Sequence, residues 1–100
     1  MSATFTFEAE IWLWEGDAAW HFLSLPTDVT DAIDAAFGHQ AKGFGSQRVE
    51  VTIGDTTWRT SVFPSKDEAT FILPVKKAVR RAEGLAEGEP AAVTLTVLEA

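Results

Sequence analysis

The stretch Leu73-Pro74-Val75-Lys76-Lys77-Ala78-Val79-Arg80-Arg81-Ala82-Glu83-Gly84-Leu85 decides how the chain is read. A Leu-Pro pair ends one apolar run and opens a helical one. Val75, Ala78, Val79 and Ala82 fall at helical spacing. Gly84 supplies the left-handed stop after a helix, and Leu85 the apolar contact of a Schellman ending. The same order occurs once upstream. There Leu25-Pro26 precedes Thr27, a good N-cap, and Asp28 and Asp31 sit in the first turn, where carboxylates favour the helix dipole. Val29, Ala32, Ile33, Ala36 and Phe37 make the apolar stripe, and Gly38 closes it. Each helix leads to an alternating strand, Val49-Glu50-Val51-Thr52-Ile53 after the first and Val93-Thr94-Leu95-Thr96-Val97 after the second. Strand, helix, strand therefore occurs twice, a weak internal repeat. Beyond Leu-Pro the identity is poor, and chance recurrence of a common unit is the plainer alternative.

The remaining segments read as strands. From Thr4 to Leu13 the residues alternate, with Phe5, Phe7, Ala9, Ile11 and Leu13 on one side, and period two means a half-buried strand. Glu15-Gly16-Asp17 is a turn. Trp20 to Leu25 is a second strand with apolar residues on both faces. His39 to Ser46 reads as a loop. Thr56 to Phe63 follows the Gly54-Asp55 hairpin turn, and Pro64 stops it. Thr70 to Leu73 is short, and Ala91 to Glu99 closes the chain. Six strands and two short helices in one domain, residues 1–100, predict a mostly β fold: a small closed six-stranded barrel, which leaves no exposed sheet edge.

Composition narrows the classes. The chain has 100 residues, 8 Lys plus Arg against 15 Asp plus Glu, and a net charge of −7. Phosphate backbones require cationic surface, so broad nucleic-acid contact is disfavoured. An apolar fraction of 46% supports a core. Cys is absent, which removes disulfides, thiol catalysis and thiolate metal sites. No apolar run is long enough to span a bilayer. Met1-Ser2-Ala3-Thr4 lacks a basic n-region and an apolar h-region, so no signal peptide is read and a cytoplasmic location is expected.

Three segments carry a family resemblance: Gly43-Phe44-Gly45-Ser46, Thr57-Trp58-Arg59-Thr60-Ser61-Val62-Phe63-Pro64 and the Ile72–Leu85 stretch around the quoted helix. They resemble the bacterial domain-of-unknown-function family nineteen-oh-five, over most of the chain from Phe5 to about Leu98. The resemblance implies a double-split β-barrel, a fold also used by swapped-hairpin domains of transition-state regulators and antitoxins. In those relatives two chains supply the halves; here one chain holds both, which would explain the weak repeat. The family often shows Gly-Asp before its final strand, where this chain has Gly88-Glu89-Pro90. Some relatives carry a second domain resembling bacteriocin-protection proteins, and none is expected here. The family implies a fold and no reaction.

Lys76, Lys77, Arg80 and Arg81 hold four of the eight positive charges within six residues. Spacing of i and i+4 pairs Lys76 with Arg80 and Lys77 with Arg81, so all four are expected on the outer face of the helix. They are the candidate site for an anion or an acidic partner; the plainer reading is a solvated face that also complements the helix dipole. Gly43 and Gly45 offer backbone N–H groups to an anion. Their loop leads into a strand, and no Walker lysine follows, so a tight turn is the stronger reading. Trp12 and Trp14 lie on the polar side of the first strand and can stack a ligand or partner. Trp20 and Trp58 are expected in the core or as a cover between barrel and helix. Ser61 belongs to the family motif, but a strand Ser is more often structural. His21 and His39 have no metal-ligand spacing and no nucleophile elbow beside them, so neither a metal site nor a triad is expected.

The reading is a non-enzymatic binding or interaction module for an anionic ligand or acidic protein surface, without cofactor and monomeric. A DNA-binding regulator or antitoxin-like domain is the first alternative, on fold analogy. A small hydrolase or transferase is the second. Three expectations follow: the two Leu-Pro units are related by a pseudo-two-fold axis, the chain is a monomer in dilute solution, and Arg80→Glu with Arg81→Glu weakens partner binding while leaving the melting temperature nearly unchanged.

Overall fold

The computed structural model describes residues 3–16 and 19–99, so Met1, Ser2 and Asp17 of the readings above lie outside the described residues. The elements are β1 (Ala3–Glu10), β2 (Trp12–Trp14), β3 (Trp20–Ser24), α1 (Thr27–Phe37), β4 (Gln47–Ile53), β5 (Thr56–Ser65), β6 (Thr70–Pro74), α2 (Lys77–Glu83) and β7 (Pro90–Val97). The strands form one antiparallel sheet in the order β1-β7-β4-β5-β6-β3-β2.

Two stretches bend from one half of this sheet to the other, and they make it curl into a half-barrel. Residues 56–62 of β5 pair with β4, and Phe63–Ser65 pair with β6. The first stretch does the same across Ile11: β1 pairs with β7, and β2 pairs with β3. The strand expected over Thr4–Leu13 is therefore two strands. Buried Ile11 spends its N–H on the Glu89 carbonyl and its carbonyl on the Gly88 N–H, both in the turn before β7, and so leaves the ladder. The expected closed six-stranded barrel is corrected accordingly. The described residues form seven strands, and among them no ladder joins edge strands β1 and β2; the chain itself connects them through Ile11.

Period-two patterning fills the inside of the curl. Val49, Val51 and Ile53 of β4 and Val93, Leu95 and Val97 of β7 are buried, as are Leu23 and Leu73. From α1, Val29, Ile33 and Phe37 join this core. The expected stripe is too wide on one side, since Ala32 is half-buried and Ala36 exposed. Burying a Val or Ile side chain is worth roughly 1.5–3 kcal/mol, so this set dominates the stability of the fold.

Helix boundaries differ from the sequence reading. Pro26, not Thr27, is at the N-cap position of α1, without a side-chain cap bond. Gly38 directly follows the end of α1, as expected, but it is right-handed and opens a 3-10 turn. Pro74 belongs to β6, where it faces Phe22 in the ladder, and α2 begins only at Lys77. This late start turns the expected stripe: Val75 and Val79 are buried, whereas Ala78 and Ala82 are exposed. Gly84 does end α2 in the left-handed region, with Leu85 N–H bonded to Arg80 O at 2.8 Å.

The pairing map is unchanged when β3 is exchanged with β6, β4 with β7, and the bent pair β1–β2 with bent β5. Two backbone hydrogen bonds fix the register of that exchange. Leu25 N–H donates to Phe71 O, and Val75 N–H donates to His21 O, both at 2.9 Å. Leu25 thus corresponds to Val75. The two N-cap residues, Pro26 and Lys76, share the same extended backbone. The repeat read from the two Leu-Pro pairs is shifted: Leu73-Pro74 corresponds to Leu23-Ser24.

Candidate functional site

Three of the four expected cations converge on one cleft. It has a volume of about 380 Å3 and lies where α2 meets β3 and β5. Lys76 and Lys77 reach it from the start of α2, Arg80 from one turn later, and Arg59 from β5. Among the described residues no Asp or Glu lines it, in a chain of net charge −7. The volume lies in the range of small-ligand sites.

Local structure explains each position. Pro74 holds the last ladder position of β6, so Lys76 is extended and the helix begins beside the end of β3. Val75 and Val79 are buried, which anchors α2 and orients Arg80. Arg80 is half-buried, and its Nε donates to the Val75 carbonyl at 3.1 Å. That bond leaves both Nη groups, the fork that grips a carboxylate or phosphate at two points, outside it. Arg59 alternates outward on β5 and is paired with Glu50 across the β4–β5 ladder, Nε to Oε1 at 3.2 Å. An exposed pair of this kind is worth about 0–1 kcal/mol and yields easily to a stronger anion. Lys76 and Lys77 are exposed and add point charge.

Aromatic groups form the other walls. Trp58 is half-buried against the core and also faces the cleft. His21, half-buried on β3, lines it too, and its Nδ1 is buried without a hydrogen-bond partner. Trp20, expected in the core or as a cover between barrel and helix, is 51% exposed and stands at the rim. The reason is strand alternation: Leu23 takes the inward side of β3, which leaves Trp20 and Phe22 on the outer side.

The remaining candidates lie elsewhere. Arg81 is exposed and does not line the cleft, so the expectation of a four-cation surface reduces to three on α2 plus Arg59. Ser61 accepts a long bond, 3.4 Å, from Arg48 Nη1. Gly43 and Gly45 flank Phe44 in a 3-10 turn; Gly45 N–H bonds to Lys42 O and Ser46 N–H to Gly43 O. The Gly45 and Ser46 N–H groups are thus spent within the turn. His39 is exposed in the turn after α1. Among the described residues no cluster of His, Cys, Asp or Glu has the arrangement of a metal site, and no helix is long and apolar enough to cross a membrane. Sequence reasoning missed Arg59, His21 and Trp20 as cleft residues. The outward position of Arg59 on an alternating strand was the one available sign.

The sequence finds no significant match among curated proteins. A family model does match, over residues 7–95, and that span contains β2 to α2 and every wall of the cleft. The chain therefore belongs to the family described as domain of unknown function DUF1905.

Proposed function

We propose that the protein is a binding module that takes an anionic group, a phosphate or carboxylate, into the cleft formed by Lys76, Lys77, Arg80 and Arg59. The observation that carries this reading is internal to the fold. The exchange that relates Leu25 to Val75 places Lys76, Lys77, Arg80 and Arg81 at the positions of Pro26, Thr27, Thr30 and Asp31. The first half builds its strand–helix connection with no cation at these positions. There Thr30 is buried, and its Oγ1 accepts the Phe71 N–H at 3.2 Å. The strand–helix connection can thus be built without cations, and their gathering at the second copy of it supports a ligand there. Neither Glu50 nor Glu83 pairs with Arg80: Glu50 holds Arg59, and Glu83 accepts from Thr56 Oγ1 at 2.6 Å.

The same relation supports the finer fold reading. Counting β1 and β2 as one bent strand gives six, arranged as two strand–helix–strand halves in the manner of a double-split barrel within a single chain. Binding without catalysis is the reading of the site: among its described walls no carboxylate orients His21, and Ser61 is not one of them. The monomeric state belongs to the same proposal, since one chain supplies both halves.

The test is calorimetric titration with inorganic phosphate and with acetate at low ionic strength. Wild type is expected to bind at least one of them, and Lys77→Glu with Arg80→Glu is expected to abolish that binding. Equal binding by wild type and variant removes the cleft from consideration. Retention of random duplex DNA in a mobility-shift assay at low salt, lost in the same variant, replaces this reading with a nucleic-acid one.

A further inference from the structure

Beside the cationic cleft runs a second depression, a groove of about 630 Å3 on the outer face of β2, β3 and β6. Its floor and sides are aromatic. Trp12 and Phe22 lie 5.1 Å apart between ring centroids, and Trp20 stacks on Phe22 at 6.1 Å with 12° between planes. Trp14 is 47% exposed and Phe63 40% exposed. An apolar surface of this kind on a small acidic protein calls for an occupant. Core packing does not account for it, because the inward residues of the same strands, Leu23 and Leu73, already fill the interior.

The groove is continuous with the cleft. Trp20 and Pro74 line both, so the two depressions share a wall, and a ligand that crosses Trp20 touches both. Charge is distributed unevenly along this path. The cleft carries the cations, the middle of the groove is aromatic, and Asp67 and Glu68 stand in the groove. Glu68 is held there by Ser24 Oγ, which donates to Oε1 at 3.0 Å and itself accepts from Trp12 Nε1 at 2.9 Å. An acidic surface resembling this protein's own would meet Asp67 and Glu68 as like charges, which disfavours a second copy as occupant.

Taking the anion site proposed above as its premise, we infer that the ligand is a small molecule with an anionic group at one end and a flat aromatic body at the other. The anion occupies the cleft, and the ring system crosses Trp20 to stack in the groove. The groove is what selects among anions. A phosphate with no apolar body leaves the aromatic surface in water, whereas one with a fused ring system covers it. Planar rings gain from offset stacking on Trp and Phe faces.

The experiment compares methyl phosphate with 2-naphthyl phosphate, using calorimetry on the full chain. Two variants accompany wild type: Trp14→Ser with Phe63→Ser, both exposed and outside the cleft, and Lys77→Glu with Arg80→Glu. Circular dichroism and thermal melting confirm that each is folded. The inference expects naphthyl phosphate to bind at least tenfold more tightly than methyl phosphate. It expects the groove variant to lose that advantage while its methyl phosphate affinity stays within twofold of wild type. It expects the cleft variant to bind neither. Equal affinity of the two compounds for wild type overturns the inference and leaves the anion site standing. Naphthyl phosphate binding that survives in the cleft variant also overturns it, because the groove then acts alone. Failure of both compounds on wild type defeats the anion site itself. A wild-type dimer in light scattering that the groove variant converts to monomer gives the groove to a second copy and overturns the inference.

Discussion

Arg80→Glu and Arg81→Glu change the net charge equally on adjacent residues, yet the structure separates them. Arg80 is half-buried, bonded through Nε to Val75 O and on the wall of the cleft. Arg81 is exposed and outside it. A hydrogen bond to a charged group contributes about 1.5–3 kcal/mol, which corresponds to roughly 10- to 150-fold in affinity. Arg80→Glu is expected to weaken phosphate binding by at least that factor. Arg81 acts on the site only through solvent, where the Debye length is about 8 Å at physiological ionic strength, so Arg81→Glu is expected to weaken it by about twofold or less. The pair also separates in stability. Loss of the Arg80–Val75 bond, also made by a charged group, costs about 1.5–3 kcal/mol, and each ~1 kcal/mol lowers the melting temperature by roughly 4–8 °C. The expectation of a nearly unchanged melting temperature for the Arg80→Glu, Arg81→Glu double variant took both charges as exposed; half-buried Arg80 and its bond to Val75 predict a lower one instead. Calorimetry with inorganic phosphate reads the first effect, and thermal melting without ligand reads the second. Equal losses of affinity in the two variants mean that binding follows bulk charge, and the cleft argument fails.

Other residues give equally direct tests. Gly54 has φ of 60° at the β4–β5 turn, and an added Cβ would run into the Glu83 carboxylate; Gly54→Ala is expected to destabilise by about 1–3 kcal/mol, and Glu83→Ala in the same chain should recover part of that in chemical denaturation. Gln47 is buried, its Nε2 donates to Phe37 O at 2.8 Å and its Oε1 accepts from Gln40 Nε2 at 3.3 Å; Gln47→Leu removes both bonds and is expected to cost about 1–3 kcal/mol, read as a lower urea midpoint. Thr30→Val removes the acceptor of the Phe71 N–H and should cost a similar amount, about 1–3 kcal/mol, with faster hydrogen exchange at Phe71. Both of the last two predictions fail if the variants melt with wild type.

Most strands were legible because burial on one side writes period two into β1, β4 and β7, and the Gly54-Asp55 turn and Gly84 stop carry their own backbone requirements. The break at Ile11 was not legible. Its alternation is perfect, and only the hydrogen bonds to Gly88 and Glu89, far along the chain, take it out of the ladder. The Leu-Pro pairs misled for a related reason. Pro74 sits in a ladder while Pro26 sits at an N-cap, so identical dipeptides occupy different steps of the two halves. The cations of α2 stood out in the sequence, but the cleft did not. It needs Arg59 and His21 from strands paired through other strands, and Trp20 on a strand whose two faces were equally apolar. Such a site exists only once the register is fixed.

The central claim is that an anion enters between α2, β3 and β5. Titration of isotopically labelled protein with inorganic phosphate, followed by proton–nitrogen correlation spectra, locates it residue by residue. The account predicts saturable shifts at the Arg59 and Arg80 side-chain Nε–H, at the indole N–H of Trp58 and Trp20, and at the backbone from Val75 to Arg80. The corresponding positions of α1, from Leu25 to Thr30, should stay unmoved. Shifts spread evenly over Lys42, Arg48, Arg81 and the α2 residues, without saturation, would contradict it.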